Sequence, residues 1–243
     1  MKGTELIKVC VRRNNEEYKE NSDYRKYVKA MSEINLGSIT ENEVEKIIKR
    51  FLIDWGKMQR VLSEKKRPGW TKRLANLIQA NSRRLNNLKI LNLSDSDLEL
   101  GNYEKEIENC YEAFKEVVKP VAAAKVLHLI CPQFFPPWDN AIHDATLSED
   151  IEMGGKHVIE LPQAYYNLHK QQIEAFVSKS KKKRKPVKFS ATDYYTFMQF
   201  VQSFIQGYKA TLSPLAIYYK KSVVKIADDC FWFATHRPLS FIL

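Results

Sequence analysis

Residues 119–143 read KPVAAAKVLHLICPQFFPPWDNAIH. Pro120 suits a first helical position, where no amide donor is needed, and Ala123, Val126, Leu127 and Ile130 then recur at the spacing of a core-facing helix. Val121, Lys125 and His128 fall on another face of that helix. The residue before a proline avoids helical angles, so the helix ends at Cys131, ahead of Pro132. Pro136 and Pro137 stiffen the approach to Trp138 and Asp139, while Phe134, Phe135 and Trp138 anchor the turn by burial. Asp139 then opens a second helix. The stretch predicts one cation, Lys125, and one carboxylate, Asp139, on consecutive helices joined by a rigid connector.

Working outward, the same periodicity recurs on both sides. Tyr24, Tyr27, Val28 and Met31 predict a helix over 22–34 that ends by Gly37. Thr40 and Glu43 form a capping box ahead of Val44, Ile47, Ile48, Phe51, Leu52 and Trp55. Pro68-Gly69 marks a turn between helices, and Tyr103, Ile107, Cys110, Tyr111, Phe114 and Val117 form the buried stripe of a helix over 102–118. Beyond Asp139, a helix runs to about Leu147 and another, from Pro162, carries Tyr165, Leu168, Ile173, Phe176 and Val177. Ser190 or Thr192 caps a helix bearing Tyr194, Phe197, Val201, Phe204, Ile205 and Tyr208. Pro214 opens a further segment, and the last helix holds Ile226, Phe231 and Trp232 beside Asp228-Asp229, read as a surface acid pair because neighbours on a helix point to different sides. With 8 glycines in 243 residues, turn-dense β folds and glycine-rich phosphate loops are disfavoured. The expectation is an all-α chain, a single helical domain over 1–243, with a division into two sub-lobes meeting near 119–143 left open.

Charge points to a partner. The chain carries 39 Lys and Arg against 29 Asp and Glu, a net +10 with pI near 9.3, which favours a polyanion. The excess is concentrated over 46–89, where thirteen cations face only Asp54 and Glu64. Lys72, Arg73, Arg83 and Arg84 lie there among Trp70 and the amides of Asn76, Gln79, Asn81, Asn86 and Asn87, residue types that touch phosphates and sugars. A second run, SKSKKKRKPVK over 178–188, contains Lys181, Lys182, Lys183 and Arg184. It resembles a nuclear-import signal and equally suits a phosphate-binding or merely solvated loop. Cys10, Cys110, Cys131 and Cys230 are widely spaced and read as reduced, mostly buried thiols. Without an apolar leader or a membrane-length apolar run, the expectation is a soluble intracellular protein of the cytoplasm or nucleoid, or of the nucleus in a eukaryote. No spacing for a metal site, a Walker loop or a serine nucleophile elbow occurs, so no metal or cofactor is expected.

The run from Pro120 through Lys125, followed by an apolar helix, a proline turn and Asp139, resembles the helix-hairpin-helix DNA glycosylases of the endonuclease III type, whose hairpin reads roughly LPGVGRKTA. The resemblance covers residues 120–139 and implies a helix-hairpin-helix glycosylase-like bundle. It matches Lys125 to the lysine that attacks the sugar in bifunctional members, and Asp139 to the catalytic aspartate. Val121 and Ala123 stand where the family has its two hairpin glycines, the interval to Asp139 is shorter, and no cysteine cluster follows for an iron-sulfur centre. What the resemblance implies is binding of DNA in preference to RNA and excision of a base. A carboxylate steadies the cationic sugar while a lysine of lowered pKa attacks it. The base leaves the stack to lie against Trp138, or against Phe134 and Phe135, with His128 also in contact. The alternative for the same residues is structural: Asp139 as an N-cap, Lys125 as a solvated lysine, His128 and His143 as satisfied histidines. The chain is then a nucleic-acid-binding module without chemistry, or an interaction domain.

Overall fold

The computed structural model describes residues 3–17, 21–59, 62, 66–139 and 189–236. Every regular element among them is a helix and none is a strand, so the described part of the chain is all-α, as expected. The elements are α1 (Gly3–Glu17), α2 (Asn21–Ser32), α3 (41–54), α4 (Trp70–Ala80), α5 (Ser82–Lys89), α6 (Glu104–Val118), α7 (Pro120–Ile130), α8 (Ala191–Tyr219) and α9 (Val223–His236). The helices expected after Asp139 and from Pro162, together with His143 and the basic run 178–188, lie outside the described residues.

Local chemistry explains the boundaries. The α3 capping box forms as read: the Glu43 amide donates to Thr40 Oγ1 at 3.2 Å and the Thr40 amide donates to the Glu43 carboxylate at 2.7 Å. The middle of α3, Val44–Lys49, is wound as a π-helix. Val44, Ile48, Phe51 and Leu52 nevertheless share the buried side. Gly56 follows in a turn so tight that a Cβ there would sit 2.6 Å from the Leu52 carbonyl oxygen. Gly69, at φ +62°, leads directly into α4, a backbone angle that suits glycine.

Helices α6 and α7 meet through one residue, Lys119, whose φ of +78° and ψ of 159° are rare outside glycine. Pro120 is the first residue of α7 and Cys131 ends it, both as expected. The residues that the glycosylase resemblance sets in a hairpin, Pro120 to Ala124, are therefore the opening turns of a regular helix. α7 is buried almost all round, with Ala122, Ala123, Ala124 and every residue from Val126 to Ile130 inaccessible, the pattern of a central helix. It packs on α6, α2 and the end of α3, while α9 packs between α1 and α8.

The strap after α7 is fixed by aromatic packing and three polar ties. Trp138 stacks on Phe197 at 5.2 Å and meets Phe189 edge-on at 4.9 Å. The Tyr194 hydroxyl donates to the Pro136 carbonyl at 2.8 Å, the Leu93 amide to the Gln133 carbonyl at 3.0 Å, and the His128 ring is tied to the Phe135 carbonyl at 2.7 Å. Ser190, not Thr192, caps α8 and forms a full capping box with Asp193. The break in α8 comes at Tyr208, six residues ahead of Pro214, which lies inside the helix.

Candidate functional site

Lys125 reaches from α7 to the turn that follows α3. Its ammonium donates to the Gly56 carbonyl at 3.2 Å and lies 5.2 Å from the centroid of the half-buried Trp55 ring. Burial pulls its pKa below the ordinary lysine value, opposed by the carboxylates of Asp139 and Asp228, and Lys225 adds to the lowering. Asp139, half-buried at the end of the strap, is thus near enough for its charge to act on Lys125. Lys125 is accordingly not a freely solvated lysine.

α9, whose Lys225 shares the Trp55 ring with Lys125, carries the largest departure from the sequence reading. Asp228 and Asp229 are not a surface pair: they are 5% and 0% exposed. Lys225, one turn earlier, donates to Asp228 Oδ2 at 2.6 Å and to Asp229 Oδ1 at 2.5 Å. Asp229 Oδ2 accepts from Lys221 at 2.6 Å and from Asn15 of α1 at 3.3 Å. Burial would lower the Lys225 pKa, but the two carboxylates raise it above the ordinary value, and Asp229 is held ionised against its burial by Lys225 and Lys221. Asp228 behaves differently, since burial raises its pKa in spite of Lys225, and Asp229 and Asp139 push the same way. The Lys225 ammonium also lies 5.0 Å from the Trp55 centroid. One indole is therefore shared by Lys125 and Lys225. The spacing of one lysine to two aspartates three and four residues on, inside VVKIADDCFWF, was the available sign of an internal ion cluster.

Trp138 and His128, expected to contact nucleic acid, are both 0% exposed. The Trp138 indole is enclosed by Tyr111, Phe189, Tyr194 and Phe197, and offers no open face to a base. His128 lies between two partners, Phe135 O at Nδ1 and the Tyr24 hydroxyl at Nε2, 2.8 Å away. A carbonyl can only accept, so Nδ1 carries the proton and Nε2 accepts from Tyr24. Burial pushes its pKa down to about 3. It is a neutral core histidine, and Tyr24 stacks on it at 5.7 Å. Phe134 and Phe135 are equally buried.

The cations of α4 and α5 do lie outside: Lys72, Arg73, Arg83 and Arg84 are exposed. Arg73 donates to the Pro68 carbonyl at 2.7 Å and Arg84 to Asn81 Oδ1 at 3.0 Å. Asn81, Arg83, Arg84, Asn87, Tyr103 and Glu106 are among the residues that line a surface pocket of about 390 Å³. Lys181, Lys182, Lys183 and Arg184 fall outside the described residues. All four cysteines are free and buried. Among the described residues, no helix is long and apolar enough to cross a membrane, and no group of three or more His, Cys, Asp or Glu is arranged to hold a metal ion. The chain matches no protein-family model, no curated protein and no solved structure.

Proposed function

We propose that the chain binds DNA and cleaves an N-glycosidic bond, in the manner of a helix-hairpin-helix glycosylase, with Lys125 as the attacking amine and Asp139 as the carboxylate that steadies the cationic sugar. The observation that carries this reading is the setting of Lys125: an amine whose charged form is disfavoured by burial against Trp55, with a carboxylate at hand. Such a lysine has a nucleophilic free amine at lower pH than a solvated one. Trp55, half-buried and already beside two cations, replaces Trp138 as the aromatic surface beside Lys125. The exposed cations of α4 and α5 supply phosphate contacts that carry affinity without sequence information.

The test is borohydride trapping on duplex DNA containing uracil or an abasic site. Wild-type protein is expected to form a covalent adduct that Lys125→Met cannot form, and Asp139→Asn is expected to lower the trapping rate at least a hundredfold, the usual scale for acid, base or electrostatic assistance. Salt-sensitive binding with no adduct and no base release would replace this reading with a second one, a binding module without chemistry. The burial of Trp138 and His128 favours that alternative, because it removes two of the contacts expected for an everted base.

A further inference from the structure

We propose that the pocket lined by α5 and the start of α6 is a binding site for a free ribonucleoside monophosphate, with Arg83 and Arg84 on the phosphate, Tyr103 against the base and Glu106 on the ribose hydroxyls. The site shares no residue with Lys125 and Asp139, and does not depend on their chemistry.

The cations come first. Arg83 and Arg84 are neighbours on α5 and both line the pocket. Neither forms an ion pair among the described residues, although Glu106 lines the same pocket. Arg84 is also positioned. The Asn81 side chain donates to the Leu77 carbonyl at 2.9 Å and accepts from Arg84 Nη1 at 3.0 Å. A guanidinium has five N–H donors, so this tie fixes the group and leaves donors over for a ligand. Two such forks side by side match the oxygens of a phosphate.

The remaining lining selects among anions. The volume of about 390 Å³ falls in the range of roughly 300–1,000 Å³ that encloses a small organic ligand, and exceeds what a bare ion fills. Glu106 repels a second phosphate, and it repels a strand whose phosphates recur on both sides of every sugar. What it accepts is a hydroxyl, and a ribose offers two together. Tyr103 is half-buried and braced by Phe134, with ring centroids 6.2 Å apart and planes at 73°; it brings to the pocket the kind of aromatic surface on which bases stack. The exposed amide of Asn87, which makes no side-chain hydrogen bond among the described residues, both donates and accepts, as the edge of a base requires. One anionic end, a pair of hydroxyls and a flat ring with polar edges together describe a nucleoside monophosphate better than inorganic phosphate or a polynucleotide.

The experiment is titration calorimetry of the full chain at low salt with adenosine 5′-monophosphate (AMP), adenosine and inorganic phosphate. Wild type is expected to bind AMP at least about tenfold more tightly than either of the others, the scale of one or two charge-assisted hydrogen bonds. Arg83→Gln and Arg84→Gln should each remove most of the advantage of AMP over adenosine. Glu106→Gln lifts a repulsion from every anion but takes an acceptor from the ribose alone, so the preference for AMP over phosphate should shrink. Wild-type protein that shows no saturable AMP binding at millimolar concentration overturns the proposal, and this comparison needs no variant. Equal affinities for AMP and phosphate overturn it too, as does a Glu106→Gln preference equal to that of wild type. A 5′-phosphorylated single strand that binds through the two arginines while AMP does not would also overturn it, and would return this surface to the nucleic-acid path. AMP binding without borohydride trapping supports this site and removes the glycosidic reading; trapping without AMP binding does the reverse.

Discussion

At the scale of single residues, the interior is built around polar groups with defined partners, and two of them give sharp expectations. His128 is neutral in the fold, with a pKa near 3, whereas an unfolded histidine titrates near 6.5. Between those values the unfolded chain takes up a proton that the folded chain refuses. His128 therefore contributes a loss of stability of about 1.4 kcal/mol per pH unit as pH falls through that window, and nothing above it. His128→Gln should be less stable than wild type at pH 7, with the deficit in urea unfolding narrowing steadily from pH 6.5 to pH 4. A constant deficit would mean the imidazole is charged in the fold. Tyr111 gives the opposite kind of case. Its hydroxyl is buried with no hydrogen-bond partner among the described residues, while its ring stacks on Tyr194 at 4.2 Å. Removing an unpaired buried hydroxyl costs no hydrogen bond, so Tyr111→Phe is expected to be neutral or to raise stability by about 1 kcal/mol in the same assay.

At the scale of elements, the joints carry the consequences. A Cβ on Gly56 would press on the Leu52 backbone, which no side-chain motion can relieve. Gly56→Ala should therefore cost about 1–3 kcal/mol and, since the Gly56 carbonyl is the acceptor for Lys125, shift the Lys125 Cε resonance as well. Thermal melts and the lysine spectrum check the two halves of that expectation. Lys119 joins α6 to α7 with a backbone that glycine adopts freely and lysine does not. Lys119→Gly is expected to be tolerated or stabilising, in contrast to glycine inside a helix. Where the chain announces its own boundaries, the sequence was readable: Thr40 with Glu43, Pro120 at the start of α7, Cys131 before Pro132, and Ser190 ahead of α8 all act through contacts within four residues. The helix α1 was within reach too, because Ile7, Cys10, Val11 and Asn14, all buried, follow the helical repeat. The π-winding of α3 was not, since nothing in Val44–Lys49 distinguishes it from an ordinary turn. Nor was the break at Tyr208 visible, because the proline that signals one lies six residues further on.

At the scale of the whole molecule, what escaped the sequence is what depends on distant segments meeting. Trp138 and His128 looked like ligands because they flank Lys125 in the chain, yet α2, α6 and α8 close over them; Asp228 and Asp229 looked like surface acids, yet α1 and the connection between α8 and α9 bring Asn15 and Lys221 onto one of them. A charge has no local mark of its burial. The same closure makes the ionic cluster costly to break. Lys225 bridges two carboxylates that are almost wholly out of water, one of them shared with Lys221, and its ammonium lies 5.0 Å from the Trp55 centroid. Lys225→Met keeps much of the stem's volume but leaves Asp228 with no hydrogen-bond partner among the described residues and Asp229 with Lys221 and Asn15 alone. Breaking a buried pair from one side costs about 3–5 kcal/mol, a large share of the 5–15 kcal/mol that holds a typical domain together. Because the cluster is inaccessible, added salt should not reduce that loss, whereas it weakens anything owed to the exposed cations of α4 and α5. Urea unfolding of wild type and Lys225→Met at low and high salt separates the two. A loss below about 1 kcal/mol, or one that salt erases, would mean that these carboxylates reach water and that the centre of the molecule is not the closed ionic cluster described above.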